Sequence, residues 1–244
     1  MISRLILKIH GDYDKLLGAY KITHILNRDY GIKVSVGRVY RLIQRLCLPT
    51  MSTSKPFIKA SKENYEDTKL CNHLKQEFNP PEPNMVWTSD FTYIKVNGVW
   101  SYLCIIMDLF SRKIISWNIS NKADCALIMS TFNEAYNKRN CPTRLMFHSD
   151  RGAQYTAAPF RKLLDKFNVV QSFSKKGHPF DNACCESFFK YLKKEECYRK
   201  NYHSVGELKL SLFEYIEGFY NSRRPHYSLG FMTPNEKELA FYEH

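Results

Sequence analysis

Residues 86–120 read VWTSDFTYIKVNGVWSYLCIIMDLFSRKIISWNIS, and this stretch decides the fold class. Val86 to Val96 alternates apolar and polar side chains, Trp100 to Phe110 is a long apolar run, and Lys113 to Ser120 is rich in isoleucine. Short runs dominated by β-branched and aromatic residues are strand material. Asn97-Gly98 and Ser111-Arg112 punctuate them as turns, which predicts three antiparallel strands in a meander. Beyond them the pattern becomes mixed. Ala123 to Lys138 reads as a helix, Leu145 to His148 as a strand, Ala157 to Phe167 as a helix and Val169 to Phe173 as a strand. Asp181 and Ser204 read as N-caps of helices running to about Cys197 and Tyr220. Three strands followed by alternating strand and helix predict an α/β fold, a mixed sheet with helices on its faces.

Upstream of the meander the sequence changes character. Asn79-Pro80-Pro81-Glu82-Pro83 closes a polar stretch that opens at Pro49, so residues 51–84 are expected to be a linker between two domains. Residues 1–50 read as helical. Leu16, Tyr20, Ile22, Ile25 and Leu26 give one apolar stripe that stops at Gly31. Ser35 looks like an N-cap for a second helix carrying Val39, Tyr40, Leu42, Ile43 and Leu46. Arg38, Arg41 and Arg45 share that helix's polar face. A glycine turn followed by an arginine-bearing helix is consistent with a helix-turn-helix that contacts DNA, although many helical hairpins carry a charged, solvated face.

Bulk composition narrows the function classes. Of 244 residues, 44% are hydrophobic and 14% aromatic, enough to bury a core and to exclude global disorder. The formal charge is +12 and the pI about 9.2, a balance that favours phosphate backbones. Residues 1–59 carry eleven Lys and Arg against three Asp and Glu, so much of that excess lies in the helical segment. The eight cysteines form no CxxC pair, and Cys71 with His73 has no second ligand pair at zinc spacing. A reducing, cytoplasmic compartment is expected. The opening MISRLILKIH lacks a signal peptide's apolar core, and the run from Tyr102 to Phe110 is too short to cross a membrane and carries Asp108.

Three acids stand in settings that suggest catalysis. Asp90 lies mid-strand, where a carboxylate on a buried face needs a partner or a metal. Asp108 is its rival in the next strand, although a strand end before a turn is an ordinary place for aspartate. Asp150 follows the apolar strand LMFH, where ligands of α/β sheets collect. His148, two residues earlier, reads as a packed histidine. Glu186 lies on the helix after Asp181, with Asn182, Lys190 and Lys193 on its face and Cys185, Phe188, Phe189 and Leu192 on the apolar stripe beside it. Taken singly, Glu186 is better accounted for as a surface glutamate paired with Lys190 at i,i+4. Fifty-nine residues separate Asp90 from Asp150, and thirty-five separate Asp150 from Glu186.

Taken together these motifs are specific. WTSDFTYI, HSDRGAQYT, SFSKKGHPFDNA, ESFFKYLKKE and YNSRRPHYSLGFMTP, with GAYKI and RVYRLIQR upstream, resemble the OrfB transposases of bacterial insertion sequences of the IS-three type, members of the DDE retroviral-integrase superfamily. The resemblance runs from about Lys15 to Glu238. It implies an RNase H-like core at residues 85–244 with a C-terminal helical extension, and a catalytic, metal-binding triad of Asp90, Asp150 and Glu186. It further implies two Mg²⁺ or Mn²⁺ ions, and cleavage of insertion-sequence ends followed by strand transfer into target DNA. Lys193, Lys190, Asn182, Arg38, Arg41 and Arg45 are expected to contact DNA. A homo-oligomer on paired DNA ends, nucleoid-associated and without a membrane, is the expected working form. Such proteins usually carry more sequence before GAYKI, so the chain is expected to be a second-frame product partnered by an upstream-frame DNA-binding protein, or a truncated copy. The contrasting readings are an RNA–DNA hybrid nuclease and a DNA-binding regulator or inhibitor that does not cut.

Overall fold

Two compact units, Met1–Lys59 and Ala60–His244, divide the chain, and the computed structural model describes residues 1–49, 70–175 and 178–243. The first unit contains α1 (Ile2–Asp12), α2 (Ala19–Tyr30) and α3 (Val36–Arg45). Ile6, Ile9, Leu17, Ile22, Ile25, Leu26, Val39 and Ile43 form its core. Gly31 adopts φ 64°, the left-handed region where a missing Cβ is an advantage, and ends α2 as expected. Ser35 Oγ accepts the Arg38 N–H at 3.3 Å and starts α3, also as expected. The apolar stripe of α2 differs from its sequence reading at two positions. Asp14 and Lys15 take positive φ and break the chain before α2, leaving Leu16 outside the helix. Tyr20 is 52% exposed, and Leu17 fills the core instead.

The second unit is built on five strands, β1 (Val86–Val96), β2 (Val99–Asp108), β3 (Ile114–Ser120), β4 (Met146–Ser149) and β5 (Val170–Phe173). Their order is β3-β2-β1-β4-β5. The meander pairs β1 with β2 from Trp87 opposite Asp108 to Val96 opposite Val99, with the turn at Asn97-Gly98. β4 runs parallel to β1 and β5 parallel to β4. The helices are α4 (Cys125–Lys138), α5 (Ala153–Thr156), α6 (Ala158–Lys166), α7 (Ala183–Glu195), α8 (Val205–Phe213) and α9 (Pro234–Tyr242). Strand alternation sorts the side chains into two apolar layers. Leu103, Ile105 and Met107 join Cys185, Phe188, Leu192 and Leu212 on the face of α7 and α8. Cys104 and Ile106 join Ile128, Phe132, Phe160 and Leu164 on the face of α4 and α6.

The helix expected from Ala157 to Phe167 is α6, with Pro159 in its first turn, and the separate four-residue α5 precedes it. Two expectations change. Asp181 caps no helix. Its carboxylate accepts from Asn72 Nδ2, Gln76 Nε2 and the Lys175 N–H, each at 2.8 Å, and α7 begins after a 3₁₀ turn at Pro179–Asn182. Of the expected linker, residues 51–69 lie outside the described residues, while residues 70–84 are joined to the sheet. Leu74 and Phe78 pack in one apolar layer and Leu70 in the other. The Phe173 N–H donates to the Cys71 carbonyl, and Ser172 Oγ accepts from the N–H groups of His73 and Leu74. Ser204 caps α8, which continues into a π-helical turn at Glu214–Tyr220. Among the described residues no helix is long and apolar enough to cross a membrane.

Candidate active site

The register of the parallel pair β1 and β4 places the first two acids side by side. Thr88 stands opposite His148. Asp90 and Asp150 each lie two residues further along adjacent parallel chains, so they reach the same level of the sheet on the side that Thr88 and His148 define. The Thr88 side chain meets α7, donating to Asn182 Oδ1 at 2.6 Å and lying 3.6 Å from Cys185 Sγ. Glu186 follows Cys185 directly. The same few residues of β1 therefore position all three acids.

Local bonds set each carboxylate. Asp90 Oδ1 accepts the Phe91 N–H at 2.7 Å. Asp150 Oδ1 accepts the Gly152 N–H at 2.9 Å. A Cβ on Gly152 would come to 3.0 Å from that same oxygen and 2.5 Å from Gln154 Nε2, so any larger residue would displace the Gln154 side chain and crowd the carboxylate. Arg151 braces the loop by donating to the carbonyls of Ser174 and Leu70 at 3.0 and 3.1 Å. Glu186 and Asp150 are exposed and Asp90 is half-buried, so the cluster opens to solvent.

Electrostatics tie the three together. Burial pushes the Asp90 carboxyl up to about 7, and the charges of Asp150 and Glu186 add to the rise, against lowering by the Phe91 N–H and Lys193. Burial also raises Asp150, opposed by its Gly152 bond, and raises Glu186. Both neighbouring charges act on Asp90, which joins the three groups electrostatically. Among the described residues no group of three or more His, Cys, Asp or Glu is drawn tightly enough to hold a metal ion. The acids are thus electrostatic neighbours rather than a closed donor cage. Their chemistry nevertheless fits a divalent cation. All are hard oxygen donors, and a cation would offset the burial, and the added repulsion, that hold Asp90 high.

The other expected residues separate clearly. Lys193 joins the site; it is half-buried, acts on Asp90, and its Nζ lies 4.6 Å from the centre of the Tyr93 ring. Lys190 is exposed on α7, and Arg38, Arg41 and Arg45 are exposed on α3. Asn182 does not fit a DNA contact. It is 6% exposed, accepts from Thr88 and donates to the Ser89 carbonyl at 3.2 Å, which staples α7 to β1. Asp108, the rival acid, is fully buried and accepts the N–H groups of Asn84 and Phe110 at 2.8 and 3.0 Å, bracing a turn. His148 is packed as expected, between the hydroxyls of Ser172 and Ser174, and burial drives its pKa down to about 4. Arg224, in the basic YNSRRPH segment, is buried and paired with Glu195. Sequence reasoning passed over Gly152, whose Arg-Gly context after Asp150 was the available signal, and the exposed aromatics Tyr93 and Trp100 beyond Asp90.

Comparison with known proteins agrees with this architecture. An integrase core domain matches residues 80–179, a second integrase core domain model residues 168–234, and an HTH-like domain residues 2–53. The chain is 31% identical to the transposase for insertion sequence element IS904 of Lactococcus lactis subsp. lactis (strain IL1403), over 98% of this chain and 93% of that protein. It is 36% identical to transposase InsF for insertion sequence IS3A of Escherichia coli (strain K12), over 68% of this chain and 58% of that protein. A chain of the simian T-cell lymphotropic virus intasome, in complex with PP2A regulatory subunit B56 gamma, shares the fold at TM-score 0.55 and 14% identity, over 96% of this chain and 74% of that one. A relative above 30% identity across nearly the whole of both chains, together with this chain's own HTH-like and integrase core domain matches, makes it a member of the insertion-sequence transposase family with an integrase catalytic core.

Proposed function

We propose that this transposase cuts DNA at insertion-sequence ends and joins the freed strand to target DNA, with Asp90, Asp150 and Glu186 as its catalytic carboxylates. The observation that carries the reading is the register of β1 and β4. It places Asp90 beside Asp150, while Thr88 receives the start of the helix that bears Glu186. The three would hold divalent Mg²⁺ or Mn²⁺, two ions in the full reading. Such ions supply charge neutralisation at a phosphodiester and activation of an attacking oxygen.

The chain's own residues prepare the site. Asp90, half-buried and high in pKa, is the group most relieved by a cation, and ligand binding requires its ionised form. Gly152 keeps the Asp150 carboxylate turned into the loop's own N–H. Lys193 offers an ammonium beside the acids for a phosphate oxygen, and Lys190 adds another on the same helix. Arg38, Arg41 and Arg45, exposed on α3, are suited to hold DNA as a phosphate-contacting or groove-reading helix. Two ends must be cut in concert, so the working form is a homo-oligomer on DNA in the bacterial cytoplasm, with an upstream-frame DNA-binding protein as a further partner.

The test is Mg²⁺-dependent cleavage and joining of end-containing DNA by wild type and Asp150→Asn. The variant should lose at least about a hundredfold in rate while binding DNA normally, the scale on which removal of one charge-stabilising group acts. Undiminished cleavage would remove Asp150 from the site. Cleavage of RNA–DNA hybrids without joining would identify a nuclease instead.

A further inference from the structure

Beyond Asp90 the edge of β1 changes partners. β4 pairs with it at Val86, Trp87 and Thr88, and Tyr202 meets it at Val96, where the Asn97 N–H donates to the Tyr202 carbonyl at 2.9 Å. Along this edge, between β1 and the end of α7, runs a groove of about 640 Å³. Its lining includes Tyr93, Trp100, Tyr198, Lys95, Lys193 and His203, and none of its described lining residues is acidic. Tyr93 is 54%, Trp100 48% and Tyr198 74% exposed. The rings of Tyr93 and Trp100 meet edge to face, with centres 5.0 Å apart. Each carries a lysine ammonium, Lys193 Nζ at 4.6 Å from Tyr93 and Lys95 Nζ at 5.7 Å from Trp100.

An exposed cross-strand aromatic pair can serve only to steady its hairpin, worth about 0.2–1 kcal/mol. Three features here go further. The aromatics line a groove rather than a flat face, the ammonium groups stand over the rings, and acidic side chains are missing from the lining. Open rings interleaved with cations suit a nucleic-acid strand whose bases are unpaired, since bases stack on the rings while phosphates follow the charges. A duplex keeps its bases stacked on each other and offers them no such contact. The position is equally telling. Tyr93 lies three residues past Asp90 on one strand, about 10 Å along it and on the other side of the pleat, so the link between them runs around the strand edge. Lys193 belongs to both places, acting on Asp90 and covering Tyr93.

We infer that this groove binds unpaired nucleotides of a DNA strand leading away from the reacting phosphate, with Tyr93 and Trp100 as the stacking platform and Lys95 and Lys193 as phosphate contacts. The inference rests on the transposase reading of the acidic cluster, and it predicts that the enzyme prefers ends whose terminal nucleotides are unpaired.

The test uses the full chain and two probes, a short oligodeoxythymidylate and a blunt duplex of equal length, followed by fluorescence anisotropy. Trp100→Ala and Tyr93→Ala should each weaken binding of the single strand about 5- to 150-fold, the range of a lost base–aromatic stack. Duplex binding should change much less, and Trp100→Phe, which keeps a ring, should recover most of the loss. Lys95→Gln should flatten the salt dependence of single-strand binding by about 0.7 in logarithmic slope. Circular dichroism checks that each variant folds, and Tyr198→Ala, at the most exposed of the three rings, repeats the test with the least structural risk. Unchanged single-strand binding in the Ala variants, or equal weakening on duplex, overturns the stacking groove. If wild type binds and cuts DNA while those variants bind the single strand normally, only the groove fails. If wild type cuts no DNA, the transposase reading fails as well.

Discussion

Glu195→Ala should be strongly destabilising. Glu195 ends α7 and is 2% exposed, and Arg224 is 3% exposed. Arg224 Nε lies 2.9 Å from Oε2 and Nη2 lies 2.9 Å from Oε1, a two-point pairing, and Tyr215 donates to Oε2 at 2.7 Å. The guanidinium also lies 4.1 Å from the centre of the Tyr191 ring. Two unit charges about 4 Å apart at an effective dielectric of about 20 attract by about 4 kcal/mol. That agrees with the roughly 3–5 kcal/mol lost when one partner of a buried pair is removed and the other charge is stranded. For a domain of this size each kcal/mol moves Tm by about 2–4 °C, so Glu195→Ala should lower Tm by roughly 6–20 °C. Tryptophan fluorescence is the appropriate probe, because Trp87, Trp100 and Trp117 all lie in the second unit. Replacing both partners, Glu195→Met with Arg224→Met, should cost far less than Glu195→Ala, since no charge is left behind. A single-variant loss below about 1 kcal/mol, the range of exposed pairs, would refute the reasoning. So would a double variant as unstable as the two singles summed.

Two further outcomes follow from the site and its surroundings. Gly152→Ala should reduce strand cleavage strongly with little change in Tm, because the new Cβ meets the Asp150 carboxylate in an open loop; a large loss of Tm with cleavage retained would contradict this. Asp108 has its carboxyl raised to about 6, by burial first, with the N–H bonds from Asn84 and Phe110 opposing the rise. A raised folded-state pKa means that the folded form holds the proton longer than the unfolded chain, so this group's contribution falls as pH rises from about 4 to about 6. The shift is about two units, so the stability of Asp108→Asn relative to wild type should improve by about 3 kcal/mol between pH 4 and pH 7. Urea unfolding at several pH values measures this, and a pH-independent difference would exclude it.

The layout of this chain was largely legible in its residues because local rules govern it. Alternation and turn chemistry in residues 86–120 predicted three strands whose observed bounds, Val86–Val96, Val99–Asp108 and Ile114–Ser120, differ from the reading by a few residues. Ser35, Gly31 and Ser204 ended or began helices through contacts made within four residues, or through their own backbone preference. The motif spacing marked Asp90, Asp150 and Glu186 as a set, and family membership emerged on the same residues.

The partners of each polar side chain depended on contacts across long sequence separations, which no local pattern encodes. Asp181 has the sequence context of a helix cap, but Asn72 and Gln76 from more than a hundred residues away occupy its carboxylate. Asn182 shares a helix face with Glu186 on paper, whereas β1 claims both ends of its amide. Arg224 sits in a segment rich in basic residues, yet Glu195 buries it. Periodicity within one element tells which side chains share a face. Only tertiary packing decides whether that face meets solvent, another strand or an opposite charge, because burial and pairing energies arise between elements rather than within them.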